Sequence, residues 1–374
     1  MDSLPSPPAP LLPSPSLAWG GRRRWLRRAP VILLGLTLSA TLAASAFFRI
    51  HLWGGLHLEP RFPLGMWLSQ LPTHGSWLAA FAVLAAAVLP LRALQWRYTL
   101  AEPAPRFADR YHAVAIGAFF HNAIPGKLGE FFRAFFLARK RSLTFFESLG
   151  SVLVCKLLEL AALLAVVGIA LAGPSSRSAP HLWLALALAG AFGLGLSALA
   201  LTAARWALPL GLRLQQRPRM ARVGRSLASL GRGLATVRSP RRMALAFLAS
   251  FGPVLAAALA FGVALQGLGV PRGVWAGGVV LGAVSLGQLT PGLPIGTGMY
   301  YLTSSWAARA LGAAPEQAAA FAALTHLASL SSQLLVGLVS LAAHRVRPGE
   351  LMREREERAR VIANQARENA REAS

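Results

Sequence analysis

Asn122-Ala123-Ile124-Pro125-Gly126-Lys127-Leu128-Gly129-Glu130-Phe131-Phe132-Arg133 cuts through an apolar segment at 111–136. Thr290-Pro291-Gly292-Leu293-Pro294-Ile295-Gly296-Thr297-Gly298 cuts through another at 274–308. Proline removes a backbone donor and clashes with the preceding turn, and glycine weakens a helix, so neither segment continues as one helix through its cluster. Irregular backbone at membrane depth is tolerated only where it is buried in protein or lines a wet cavity. Broken apolar segments in matching positions of two halves also point to a transporter's binding site. Both clusters carry one skeleton, with Pro125 and Gly129 four apart and Pro294 and Gly298 four apart. The expectation is an inverted repeat whose two broken hairpins meet near the bilayer midplane.

Around these two segments lie unbroken apolar stretches near 31–49, 76–94, 147–172, 181–203, 243–267 and 316–343. Each is long enough to span a bilayer. Of the 374 residues, 55% are hydrophobic and 14% charged, and the mean hydropathy is +0.49. Soluble domains carry about 25% charged residues. A soluble globule and a disordered chain are both excluded. The net charge of +24 fits either nucleic-acid binding or the cytoplasmic loops of a membrane protein.

The positions of the basic residues choose between these. Were both broken segments simple spans, the loop at 204–242, with ten Arg and no acid, would face away from Arg22, Arg23, Arg24, Arg27 and Arg28. That violates the positive-inside rule. If each instead enters and leaves on one side, as a re-entrant hairpin or a close pair of spans, then the N-terminus, 92–110, 133–141, 204–242 and 345–374 share the cytoplasmic face. They hold 31 of the 38 Lys/Arg, five lie outside, and Lys127 and Lys156 remain within the membrane. The fold class predicted is all-α: a polytopic transmembrane helical bundle with two broken or re-entrant hairpins in an inverted repeat.

The domain plan follows. Residues 1–29 form a disordered Pro-rich and basic tail, 30–345 the transmembrane domain, and 346–374 a charged, helical cytoplasmic tail. Ala44-Ser45-Ala46 resembles a signal-peptide cleavage site, but the further spans make a first membrane anchor the simpler reading. Val223, Leu227, Leu230, Leu234 and Val237 recur at helical spacing among Arg222, Arg225, Arg232 and Arg238. This predicts a basic amphipathic helix at 222–238, either on an anionic leaflet or packed on the domain. Trp25, Trp53, Trp77, Trp96, Trp183 and Trp206 read as interfacial belt anchors.

Ionisable groups inside a membrane are costly, roughly 2.5–3.5 kcal/mol at a helix centre, so each invites a functional hypothesis. They gather in two places: His121, Asn122, Lys127, Glu130 and Arg133 in the first hairpin, and Lys156 with Glu159 in the 147–172 span. Lys156 and Glu159 share a helix face, and Glu130 can pair with Lys127 or Arg133 at the same spacing. Three cations against two anions leave one positive charge. With helix N–H groups after Pro125-Gly126, the cluster reads either as a phosphate seat or as buried pairs that fix hairpin to span. In the second hairpin Gln288, Thr290, Thr297, Tyr300, Tyr301, Thr303 and Ser304 either line a polar path or bond the broken backbone. His326 reads as a buried structural histidine.

One cysteine, Cys155, leaves no intrachain disulfide and no zinc knuckle. No Walker loop, GxSxG or paired free carboxylate occurs. No enzyme activity, cofactor or metal is expected.

The block Asn122…Pro125-Gly126-Lys127…Gly129-Glu130…Arg133, followed by Ser148…Ser151-Val152…Lys156…Glu159, resembles the lysylphosphatidylglycerol synthase transmembrane-region family, the flippase-like domain membrane proteins. Pro294-Ile295-Gly296-Thr297-Gly298, before Gly312 and Ala318, resembles its second Pro-Gly-Gly block. The resemblance covers about residues 25–345. In the family Arg and Asp stand where Lys156 and Glu159 do. An acid and a base stand at the places Tyr301 and His326 take here. The resemblance implies a multi-pass bacterial inner-membrane protein with cytoplasmic N- and C-termini. It further implies flipping of a phospholipid or lipid-linked glycan headgroup, or association with a glycosyltransferase or aminoacyl-lipid synthase as a non-catalytic membrane subunit. The implied partners are anionic phospholipid or polyprenyl-linked glycolipid. The short charged tail, in place of a soluble transferase domain, implies that the chain does not make the lipid. Asn122, Lys127, Glu130, Arg133, Lys156 and Glu159 would bind substrate, while Pro125, Gly126, Gly129, Pro294, Gly296 and Gly298 would shape the hairpins.

Overall fold

A computed structural model describes residues 48–51, 57–60, 71–101, 103–123, 128–140, 143–172, 180–235, 239–270, 275–289 and 297–343. The two tails, most of the 31–49 segment and the hairpin tips at 124–127 and 290–296 lie outside the described residues. Two four-residue strands, β1 (Phe48–His51) and β2 (His57–Pro60), form an antiparallel ribbon with Phe48 opposite Pro60. The rest of the described chain is helical.

Ten helices follow among the described residues: α1 (Leu71–Arg97), α2 (Phe107–Ala123), α3 (Gly129–Lys140), α4 (Phe145–Ala172), α5 (Pro180–Gln215), α6 (Ala221–Gly233), α7 (Pro240–Gly267), α8 (Ala276–Leu289), α9 (Thr297–Ala310) and α10 (Pro315–Ala343). Local signals set their ends. Ser239 caps α7, its hydroxyl accepting from the Arg242 N–H, with Pro240 in the first turn. Gly269 and Gly312, at φ of 75° and 100°, stop α7 and α9 in the left-handed region.

Among the described residues four helices are long and apolar enough to cross a membrane: α1, α4, α7 and α10. Those of the broken segments are not. At about 1.5 Å per residue, α2 with 17 residues and α3 with 12 fall short of a hydrocarbon core about 30 Å thick. Each pair folds back on itself. A Cβ at Gly129 would meet His121 Cβ at 2.6 Å, and one at Gly117 would meet Arg133 Cβ at 2.9 Å, so α3 runs antiparallel against α2. In the second pair Gly287 of α8 lies on Thr303 of α9, again antiparallel. Between the re-entrant hairpin and the close pair of spans, the lengths select the re-entrant hairpin.

The packing repeats. Span, hairpin, span reads α1, α2–α3, α4 in one half and α7, α8–α9, α10 in the other. The main contacts between these elements are matched: α1 on α2 and α7 on α8, α3 on α4 and α9 on α10, α2 on α10 and α8 on α4, α1 on α10 and α7 on α4. The corresponding spans α1 and α7 pack on each other antiparallel, with Trp77 against Gly267, Phe81 against Phe261 and Leu91 against Gly252. Equivalent helices running in opposite directions make the repeat an inverted one. Each half has its own core, around Trp96, Ile116, Phe120 and Phe136 in the first and Phe261, Leu265, Val280 and Phe321 in the second. Leu248, Leu327 and Leu335 are exposed on the rim, where a lipid-facing surface needs them.

The helix predicted at 222–238 is α6, and it packs on the domain. Its contact face is centred on Gly224, Ala228, Gly231 and Gly233, and of the Val/Leu stripe only its C-terminal end joins it: Leu234 is buried, Leu227 and Leu230 are half-buried, Val223 is exposed, and Val237 and Arg238 lie outside the described residues. Glycine lets the backbones touch, since a Cβ at Gly231 would meet Leu208 N at 2.5 Å and one at Gly150 of α4 would meet Leu230 O at 2.5 Å. Arg222 and Arg225 face outward. Two tryptophans predicted as belt anchors are core residues instead. Trp77 and Trp96 are buried, while Trp206 is exposed.

Candidate functional site

A cavity of about 290 Å³ lies where the two hairpins meet, lined from the spans α1, α4, α7 and α10 and from α2, α3, α8 and α9. One half of it is charged. Lys156 of α4 pairs with Glu130 of α3 at 2.7 Å and with Glu159, one turn along its own helix, at 3.3 Å. Arg92 of α1 pairs with Glu159 at 3.3 Å, and Arg133 with Glu130 at 3.5 Å. The order is Arg92, Glu159, Lys156, Glu130, Arg133: charges alternate, and a cation stands at each end. The cluster carries one net positive charge.

Arg133 is held for more than its ion pair. Its side chain is 3% exposed, and its guanidinium lies 4.1 Å from the Trp96 ring centroid. Trp96 is fixed in turn by donating from Nε1 to Ser151 Oγ at 2.9 Å, while Ser151 donates to the Ser148 carbonyl. A cation stacked on a desolvated indole is held at a set angle. Nε and Nη2 of Arg133 are buried with no hydrogen-bond partner. Guanidinium N–H groups left so are a cost. The fold makes this possible at Gly117 and Gly129, whose missing side chains let α3 lie on α2 and carry Glu130 and Arg133 inward.

The other half of the cavity is uncharged. Tyr300 donates to Thr325 Oγ1 at 3.0 Å. His326 stacks on Tyr300 with centroids 4.5 Å apart, and its Nδ1 lies 3.2 Å from the Tyr301 hydroxyl. Asn122 joins the halves: its amide donates to Gln333 Oε1 at 2.9 Å, and Gln333 donates to Ser329 Oγ at 3.1 Å. Gln288 and Ser285 of α8 also line the space. Thr303, Ser304 and Ser305 do not offer hydroxyls to it. Each donates to the backbone of its own helix, to Met299, Tyr300 and Tyr301 carbonyls.

A second cavity of about 440 Å³ adjoins the first and shares Arg92, His121, Lys156, Ser285 and Gln288 with it. Its further walls are mostly apolar, with Leu160, Leu163 and Leu164 of α4, Val254 of α7 and Leu286 of α8. Glu159 and, from α5, Gly190 and Gly193 also line it.

Of the residues predicted to bind substrate, Asn122, Glu130, Arg133, Lys156 and Glu159 come together here. Lys127 lies outside the described residues. Of those predicted to shape the hairpins, Gly129 lies in the α2–α3 contact and Gly298 is buried in the first turn of α9. Pro125, Gly126, Pro294 and Gly296 lie outside the described residues. Arg92 was expected in the cytoplasmic stretch 92–110, and the structure places it in the site instead. A signal for it existed: Leu89, Ala93 and Trp96 mark the buried face of α1, and Arg92 sits beside that stripe at helical spacing.

Comparison with curated proteins and with solved structures gives no match. The family model described as lysylphosphatidylglycerol synthase TM region matches residues 65–337. That range contains both hairpins, the repeat up to residue 337 of α10 and every residue of the charged cluster. With four membrane-spanning helices among the described residues and a match over most of its length, this chain is an integral, multi-pass membrane protein that belongs to the lysylphosphatidylglycerol synthase transmembrane-region family.

Proposed function

We propose that the protein moves a phosphate-bearing lipid headgroup, of a phospholipid or a lipid-linked glycan, between the leaflets of a bacterial inner membrane, with both termini cytoplasmic. One observation carries this reading: a partly buried charge cluster with one surplus cation, at the meeting point of two hairpins that enter from opposite ends of the bundle. Carrying a headgroup through hydrocarbon costs the desolvation of its charge. Arg133, Lys156 and Arg92 take over the phosphate's lost hydration, while Glu130 and Glu159 hold the cations apart and in place. The adjoining apolar cavity gives the chains a place beside the headgroup. The protein does no covalent chemistry and takes no cofactor in this account.

A second reading, a membrane subunit that seats a glycosyltransferase or aminoacyl-lipid synthase, draws on the outward arginines of α6. It predicts indifference to changes in the cavity. The test is headgroup scrambling by purified protein in liposomes. Arg133→Gln and Glu130→Gln are expected to slow it at least about tenfold, the loss of one charge-assisted contact. Equal rates for wild type and both variants contradict the translocation reading.

A further inference from the structure

The inverted repeat allows the two halves of the cavity to be compared position by position. Lys156 and Glu159 stand eleven and fourteen residues after the first residue of α4. His326 and Ser329 stand at the same distances into α10. Aligning Gly129 with Gly298 puts Met299 and Leu302 where Glu130 and Arg133 stand. These four charges are thus absent from the other half. What replaces them is aromatic and neutral-polar: the Tyr300 ring, the His326 imidazole, the Ser329 hydroxyl and the amides of Gln288 and Gln333.

No carboxylate lines this half of the cavity. The sequence has no Asp or Glu between Glu159 and Glu316, a run that covers α5 to α9 and both flanks of the second hairpin. Glu316 stands in the first turn of α10 and does not line the cavity. The two carboxylates of the charged half are each held by two cations. An ammonium group entering beside the phosphate meets three cations and no available counter-ion, which a desolvated site penalises. A hydroxylated group meets amides, hydroxyls and ring faces, the set that binds sugars and polyols.

We infer that the headgroup carries one phosphate negative charge and an uncharged polyhydroxyl group beyond it, and carries no amine. The phosphate lies on Arg133 and Lys156, and the polyol lies on Tyr300, Gln288 and Gln333. This deepens the translocation reading and rests on it.

Phosphatidylinositol, lysyl-phosphatidylglycerol, phosphatidic acid and soluble inositol 1-phosphate separate the chemistries. Binding of each to the full-length protein is measured by native mass spectrometry, and the three lipids are also compared for scrambling in liposomes. Phosphatidylinositol is expected to bind at least about tenfold more tightly than lysyl-phosphatidylglycerol, the factor one unmatched charge imposes. Gln288→Leu is expected to weaken phosphatidylinositol by about threefold or more and to leave phosphatidic acid unchanged, since only the former reaches the polar half. Gln288 is exposed to the cavity, so its loss spares the core; should that variant fail to fold, the wild-type rank order decides alone. Equal or tighter binding of the lysyl lipid overturns the inference. So does equal binding of inositol 1-phosphate, which would make the ligand a soluble phosphorylated polyol. A protein that scrambles the lysyl lipid faster than phosphatidylinositol keeps the translocation reading and loses this one. A protein that binds none of the lipids loses both.

Discussion

Arg92 shows how far a single side chain is governed by its surroundings. It is one-third exposed, to the cavity, and its partner Glu159 is 10% exposed. Replacing it with Leu leaves Glu159 with Lys156 alone, in a place where a half-compensated carboxylate is costly. Arg92→Leu is expected to lower stability by about 1.5–3 kcal/mol, read as a lower unfolding temperature in detergent, and an unchanged temperature would show that the pair holds nothing. Glu130, Arg133, Lys156 and Glu159 were legible in the sequence because a charge within an apolar segment has few reasons to be there. Arg92 was not, because at the end of such a segment a charge looks like the start of a loop. The tryptophans misled for a related reason. Nearness to a span end suggests an interfacial anchor, yet Trp96 is a wholly buried platform whose N–H finds Ser151, and only tertiary packing decides between the two.

At the scale of elements, the re-entrant hairpins depend on close helix approach. Gly117 and Gly129 face each other's helix with no room for a side chain, whereas Gly168 of α4 faces open space. Gly117→Ala is expected to cost about 1–3 kcal/mol through overpacking. Gly168→Ala is expected to gain up to about 1 kcal/mol, because alanine is the better helix former. Chemical denaturation of the two variants side by side checks the contrast, and equal shifts would deny the tight hairpin seam. Both breaks were legible because proline and glycine interrupt an apolar run for local reasons. The face by which α6 packs was not. Its Val/Leu stripe has the stronger periodicity, but Gly224, Ala228 and Gly231 make the closest approach and only Leu230 and Leu234 of the stripe reach the core, since small residues let backbones approach where no hydrophobic effect drives helices together.

For the whole molecule, the inverted repeat gives the account its form. The Pro–Gly skeleton and the distribution of arginines predicted it, and the antiparallel pairing of α1 with α7 together with the matched contact pattern establishes it. What the sequence left hidden is that the two halves differ in chemistry while sharing a backbone plan: a chain of five charges faces a neutral, aromatic wall. That site lies where hairpins from the two inverted halves meet. The central claim is that a lipid headgroup passes through it. Ser285 is half-buried and lines both the polar cavity and the apolar one beside it, and the sole native cysteine, Cys155, is buried. The most direct measurement is therefore headgroup scrambling by Ser285→Cys in liposomes, before and after a bulky, reducible thiol reagent. The account predicts a fall to the rate of protein-free liposomes on modification and recovery on reduction. Scrambling that continues unchanged with the thiol fully modified would contradict it.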